Sequence, residues 1–167
     1  SVFRMLGETN FPQAEQKSEA VITVRDLYCN YGKTEVLKGL TFTAYRGLVT
    51  GLLGVNGAGK TTTVRILCGQ LAKTSGQVEV LGLDPYAQGA QLRRLIGVMP
   101  ENAGHYERLS VADNLLFFAH IFRLDDPKKR VQELLELVNL TDKSASRVAS
   151  LSKGMRQRLA LARALIG

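Results

Sequence analysis

Residues 54–61, Gly54-Val55-Asn56-Gly57-Ala58-Gly59-Lys60-Thr61, constrain this chain more than any other feature. They follow the pattern G-x-x-x-x-G-K-[ST]. Three glycines let the backbone turn tightly and leave amide N–H groups free to converge on one point. The continuous apolar run before them, residues 48–53, reads as a buried central strand ending at Gly54. A helix is expected to follow from Lys60 to about Leu71, with Val64, Leu67, Cys68 and Leu71 on one face. Such a strand–loop–helix unit aims the positive end of a helix and a set of amides at a common anion. Phosphate suits that chemistry. Lys60 would reach the β- and γ-phosphates of ATP, and the Thr61 hydroxyl would ligate Mg²⁺.

Further strands are expected over residues 21–27, 40–45, 77–81 and 95–99, the last as a buried strand. A helix is expected over 87–94. From residue 101 the texture is helical: residues 111–122 and 128–138 carry apolar side chains at three-and-four spacing. A third helix opens at Ser152, a suitable N-cap. The reading is therefore a tail or linker over 1–20, a core with its β part over 21–100, and a helical subdomain over 101–167.

The net charge of +7 raises the question of nucleic acid. Its distribution answers differently, because Asp142 is the last carboxylate and six Lys or Arg residues follow it. The imbalance reads as a chain cut short of an acidic segment, and the start at Ser1 reads as a cut or a processed start. No apolar run approaches the roughly 18 residues that span a bilayer, and no secretion signal is visible. Cys29 and Cys68 have no metal or redox spacing and read as buried thiols.

With Leu151-Ser152-Lys153-Gly154-Met155-Arg156-Gln157-Arg158-Leu159 about 90 residues after the phosphate loop, the chain resembles the nucleotide-binding domain of ABC transporters. This segment is similar to the family's signature, usually written L-S-G-G-Q. Lys153 and Met155 depart from it in the manner of the drug- and lipid-export branch. The resemblance implies an α/β fold: a P-loop NTPase core, an ABC-type antiparallel β part and a helical subdomain, with the C-terminal part missing. It implies that Ser152 and Gly154 form a second anion site that closes over the nucleotide of a partner domain. It places Tyr31 where the family stacks an aromatic ring on adenine, with Tyr28 as a competitor and Val36 packing on the same base. Glu101 falls where the family usually has a glutamine near the metal and the lytic water. The candidate contacts are thus Tyr31, Val36, Gly54, Asn56, Gly57, Ala58, Gly59, Lys60, Thr61, Thr62, Ser152 and Gly154. Thr61 and Glu101 are the metal candidates, and Glu101 is also the catalytic one.

The same resemblance implies a polytopic transmembrane permease as partner, a homodimer or paired nucleotide-binding domain, and a place at the cytoplasmic face of a membrane. No nucleic acid is expected. Residues 115–122 could grip the permease or simply pack a core. In the family the acid that orients Mg²⁺ and the catalytic glutamate beside it follow the signature helix, and this chain ends first. Asp84 does not replace them, because Gly82 and Pro85 mark its surroundings as a turn. The 167-residue chain alone is therefore expected to be inactive as an ATPase. Soluble ABC proteins acting on DNA or ribosomes, and a regulatory nucleotide-binding domain, are the other classes. Only about 50 residues separate Glu101 from Leu151, with no heptad run or cysteine cluster of the DNA-repair kind.

Overall fold

The computed structural model describes residues 19–99 and 104–167, and these divide into two compact units that part between Arg94 and Leu95. Most of the expected tail, and Glu101, lie outside the described residues.

In the first unit, strand β1 (Ala20–Tyr31) stands between β2 (Thr34–Tyr45) and β3 (Ser75–Val80), with both pairings antiparallel. β1 and β2 run further than expected, because their ladder continues to the Tyr31–Thr34 pair through polar positions that carry no apolar alternation. Between Val24, which faces Phe42, and Leu27, which faces Leu40, β1 holds one residue more than β2. Such a bulge shifts the period by one residue, and it returns Leu27 and Cys29 to the buried face of Val24. Asp26 sits in the bulge at φ 46°, and its amide donates to Thr41 Oγ1 at 2.9 Å. Across the ladder Gly76 has φ 93°, and a Cβ there would stand 2.2 Å from the Asp26 carbonyl oxygen. Bulge and glycine therefore require one another. The buried face joins Val24, Leu27, Cys29, Leu37, Leu40, Phe42 and Val78 to Ile66 of helix α1 (Lys60–Leu67). Burial of one such large apolar side chain contributes about 1.5–3 kcal/mol, so this cluster is what seats α1 on the sheet.

Several expectations fail. Residues 48–53 and 95–99 form no strand, and Leu48, Val49 and Leu53 are 65%, 102% and 53% exposed. A parallel strand needs ladder partners on its edges, and the three strands among the described residues pair only with one another. Helix α1 ends at Leu67 rather than Leu71, because Gly69 adopts φ 68° just past its end. Its inward face is Thr62, Thr63 and Ile66, while Val64 is exposed. The helix expected over 87–94 shrinks to one turn, α2 (Gly89–Leu92), with Leu92 fully buried. Cys29 and Cys68 are buried free thiols, as expected, and burial raises both thiol pKa values.

The second unit is three helices around one core: α3 (Val111–Ile121), α4 (Pro127–Leu137) and α5 (Lys153–Ala164). Each has its N-cap. Ser110 Oγ accepts from Asp113 N at 3.0 Å, Asp126 Oδ1 from Lys129 N at 3.1 Å, and Ser152 Oγ from Met155 N at 3.3 Å. Val111, Leu115, Leu134, Leu140, Val148 and Leu159 lie at its centre, essentially without solvent contact. Residues 115–122 divide between core and surface. Leu115 and Ala119 are core, whereas Phe117, Ile121 and Phe122 are exposed. Tyr106 meets the Phe117 ring edge-on at 4.9 Å.

Candidate phosphate-binding site

The loop is held against the sheet by its last glycine. Gly59 is the N-cap of α1 at φ 89°, ψ 9°. A Cβ on it would stand 2.4 Å from Leu37 Cδ2 and within 3.3 and 3.4 Å of the Val36 oxygen and Cγ1. Both torsion and space thus demand glycine, and the pressed contact places Val36 of β2 at the edge of the loop. Lys60 folds back over the loop, its Nζ donating to the carbonyl oxygens of Gly54 at 2.6 Å and Val55 at 2.8 Å. An ammonium has three donors, and the third has no partner among the described residues. No acidic residue lies in the first turn of α1, so nothing on the helix offsets its positive end. Thr61 is exposed; Thr62 is buried. Thr63 is structural: it is fully buried and its Oγ1 donates to the Gly59 oxygen at 2.9 Å. Asn56 and Gly57 are open to solvent, whereas the Ala58 amide closes a turn onto the Val55 oxygen at 3.1 Å. Ala58 would have to release that bond to meet a phosphate.

Tyr31 ends β1 opposite Thr34, two residues before Val36, and is 46% exposed. At the usual rise per strand residue that is roughly 7 Å along the ladder. Tyr28 stands beside Gly39, where a Cβ would meet its hydroxyl at 2.9 Å.

In the second unit, Ser152 and Gly154 are both exposed at the start of α5, and a Cβ on Gly154 would meet nothing within 4 Å. The arginines of α5 are committed to their own subdomain. Arg156 bonds Leu151 O, Ala149 O and Glu107, Arg158 bonds the Val138 and Asn139 oxygens, and Arg163 bonds Gly104 O and lies 5.0 Å over the Phe118 ring. Arg156 with Glu107, 49 residues apart, gives no local signal in the sequence. His105 Nε2 donates to the Arg156 oxygen at 3.0 Å; burial, more than the nearby arginines, holds its pKa low. Buried Asn114 receives the Tyr106 amide and donates to the Tyr106 and Ser110 oxygens, each at 3.0 Å. A lone Asn at a core position of the α3 period was the readable sign of it.

Asp84 is a turn anchor. Its Oδ1 accepts from the Tyr86 and Ala87 amides at 2.9 Å and its Oδ2 meets Lys73 at 3.3 Å. The Ala87 amide above all lowers its pKa, helped by Tyr86 and Lys73. Among the described residues no cluster of three metal-ligating side chains occurs.

The family model for ABC transporters matches residues 37–167. This chain belongs to the ABC transporter family. It is 38% identical to the bacitracin transport ATP-binding protein BcrA of Bacillus licheniformis, over 87% of this chain and 47% of that protein. It is 40% identical to the Nod factor export ATP-binding protein I of Rhizobium meliloti, over 90% and 45% respectively. The linearmycin resistance ATP-binding protein LnrL of Bacillus subtilis is 35% identical over 81% and 44%. The chain thus spans about half the length of the curated relatives it matches. Among solved structures, an ATP-binding subunit of an ABC transporter superposes with TM-score 0.74 at 30% identity, covering 87% of this chain and 62% of that one. CbiO1 of Clostridium perfringens, part of the ABC transporter complex cbiONQ, gives 0.80 at 29% identity, over 88% and 61%. The fold is that of an ABC ATP-binding subunit, α/β with an antiparallel β part and a helical part.

Proposed function

We propose that the chain is the ATP-binding part of an ABC-type membrane exporter, coupling ATP binding and hydrolysis to transport. The observation that carries this reading is the ABC phosphate loop. Gly59 is jammed against β2, Lys60 holds an ammonium over the loop, and α1 presents an unneutralised N-terminus. A nucleotide triphosphate fits that donor set, which is cationic, rich in N–H groups and free of acids in its first helical turn. Thr61 would hold Mg²⁺ together with Glu101, and the ion would neutralise charge between the phosphates. Val36 and Tyr31 would take the adenine. Ser152 and Gly154 would face the nucleotide of a second such domain.

The Nod factor export relative supports export rather than import. A polytopic permease would hold the protein at the cytoplasmic face, and no described helix is long and apolar enough to cross a membrane. The core over 21–100 and the helical subdomain over 101–167 remain our division of labour, the first for the phosphates and base, the second for the partner. Alone, the 167-residue chain would bind ATP without turning it over. The commitment of Arg156, Arg158 and Arg163 to internal oxygens argues against a nucleic-acid surface on α5.

The test is Lys60→Ala in the complete polypeptide. Binding of a fluorescent ATP analogue should be lost, and unchanged affinity would refute the reading.

A further inference from the structure

Ser152 can act on an anion only if the turn that carries it is held still, and its single cap bond is a long one. The Met155 amide reaches Ser152 Oγ at 3.3 Å, beyond the usual range for N–H···O bonds. The backbone leaves the 3-10 turn Val148–Ser150 and runs extended through Leu151 and Ser152, at ψ 143° and 163°. The Leu151 amide still donates to the Val148 oxygen and the Ser152 oxygen accepts from the Arg156 amide, both at 3.0 Å, which leaves the Leu151 carbonyl without a backbone partner.

One guanidinium captures that carbonyl together with one from the preceding 3-10 turn. Arg156 Nε donates to Leu151 O at 3.2 Å, Nη2 to Ala149 O at 3.0 Å, and Nη1 to Glu107 Oε1 at 2.6 Å. Three nitrogens of one rigid plane thus meet three partners, a geometry that a lysine ammonium on its flexible stem does not reproduce. The far side is fixed as well. The Ala149 and Val148 amides donate to the Glu107 and Leu109 oxygens at 3.1 and 3.0 Å, and His105 bonds the Arg156 oxygen. Asn114 in turn pins Tyr106 between His105 and Glu107.

We propose that Arg156, oriented by Glu107, is a positioning residue: it fixes the Leu151–Ser152 turn so that the Ser152 hydroxyl and the start of α5 meet the partner domain's nucleotide. It touches no nucleotide itself. The proposal rests on the functional reading above, in which nucleotide binds at Lys60 and Ser152 acts across the dimer. Arg156 should therefore govern turnover and not the filling of the Lys60 site.

The experiment uses the complete polypeptide with its permease. It compares wild type, Arg156→Lys, Glu107→Gln, Ser152→Ala and the Arg156→Lys/Ser152→Ala pair, with Lys60→Ala as binding control. Arg156→Lys should lower kcat at least about tenfold, equivalent to about 1.4 kcal/mol, with KM for ATP and the unfolding midpoint little changed. Glu107→Gln should show a smaller loss of the same kind. In the Ser152→Ala background Arg156→Lys should cost nothing further, because residues acting through one another are not additive. Additive losses, a rise in KM in place of a fall in kcat, or wild-type turnover in Arg156→Lys would overturn the proposal while leaving Lys60-dependent binding intact. Loss of the functional reading would look different: wild type and Lys60→Ala would bind the ATP analogue alike.

Discussion

The two tyrosines of β1 differ in what stands beside their side chains. Tyr28 has its hydroxyl beside Gly39 on the neighbouring strand. Tyr31 stands at the strand end, half exposed, in line with Val36 and through it with Gly59. A purine needs a free π-face at a fixed distance from its phosphates, and Tyr31 answers that description better. Base stacking contributes about 1–3 kcal/mol, so Tyr31→Ala should weaken ATP binding by roughly 10–100-fold. Tyr31→Phe should be nearly neutral, since stacking uses the ring and not the hydroxyl. Titration of a fluorescent ATP analogue decides it. If both variants bind like wild type, the base lies elsewhere and Tyr28 is the next ring to remove.

Among the elements, α3 depends on a polar residue in its core face. Asn114 is 2% exposed and makes three bonds, two to Tyr106 and one to Ser110. Truncation would remove all three bonds at once, and a typical intramolecular hydrogen bond contributes about 0.5–1.5 kcal/mol. Asn114→Ala should therefore destabilise the fold by about 2–4 kcal/mol in urea unfolding; a change below about 0.5 kcal/mol, the level of an ordinary surface substitution, would refute the role. Elements of this kind show where sequence reading succeeds. The helices of the second unit were legible to within about three residues because caps and period agree: Ser110, Asp126 and Ser152 each open an apolar stripe. The phosphate loop was legible because its chemistry is local. The apolar runs at 48–53 and 95–99 were misread, since a strand exists only with a partner and partners are not written in the run itself. The face of α1 was missed for a related reason. The sheet, seated by Ile66, decides which side turns inward, and it buries two threonines while Val64 faces solvent. The Arg156–Glu107 clamp was illegible because only the folded chain brings its two ends together.

For the whole molecule the sharpest expectation concerns what 167 residues can do alone. Hydrolysis of ATP needs one carboxylate to hold Mg²⁺ through its waters and a base to take a proton from the attacking water. Asp142 is the last carboxylate of the chain, so none accompanies or follows the signature helix. Asp84 is engaged by two backbone amides and Lys73, which lower its pKa and make it a poor base. Glu101 would then have to serve two separate tasks. Loss of a general base alone typically costs 10²–10⁴-fold in rate, and loss of metal positioning adds to it. Exposed Leu48, Val49, Leu53 and Val55 also give this chain an apolar stretch that favours association in the test tube. Phosphate release should therefore be undetectable from the 167-residue chain and present in a version extended to the length of its relatives, where Lys60→Ala abolishes it. Robust Lys60-dependent release by the short chain would instead place the missing acid within these residues. Glu101→Gln and Asp84→Asn would then identify which of the two supplies it.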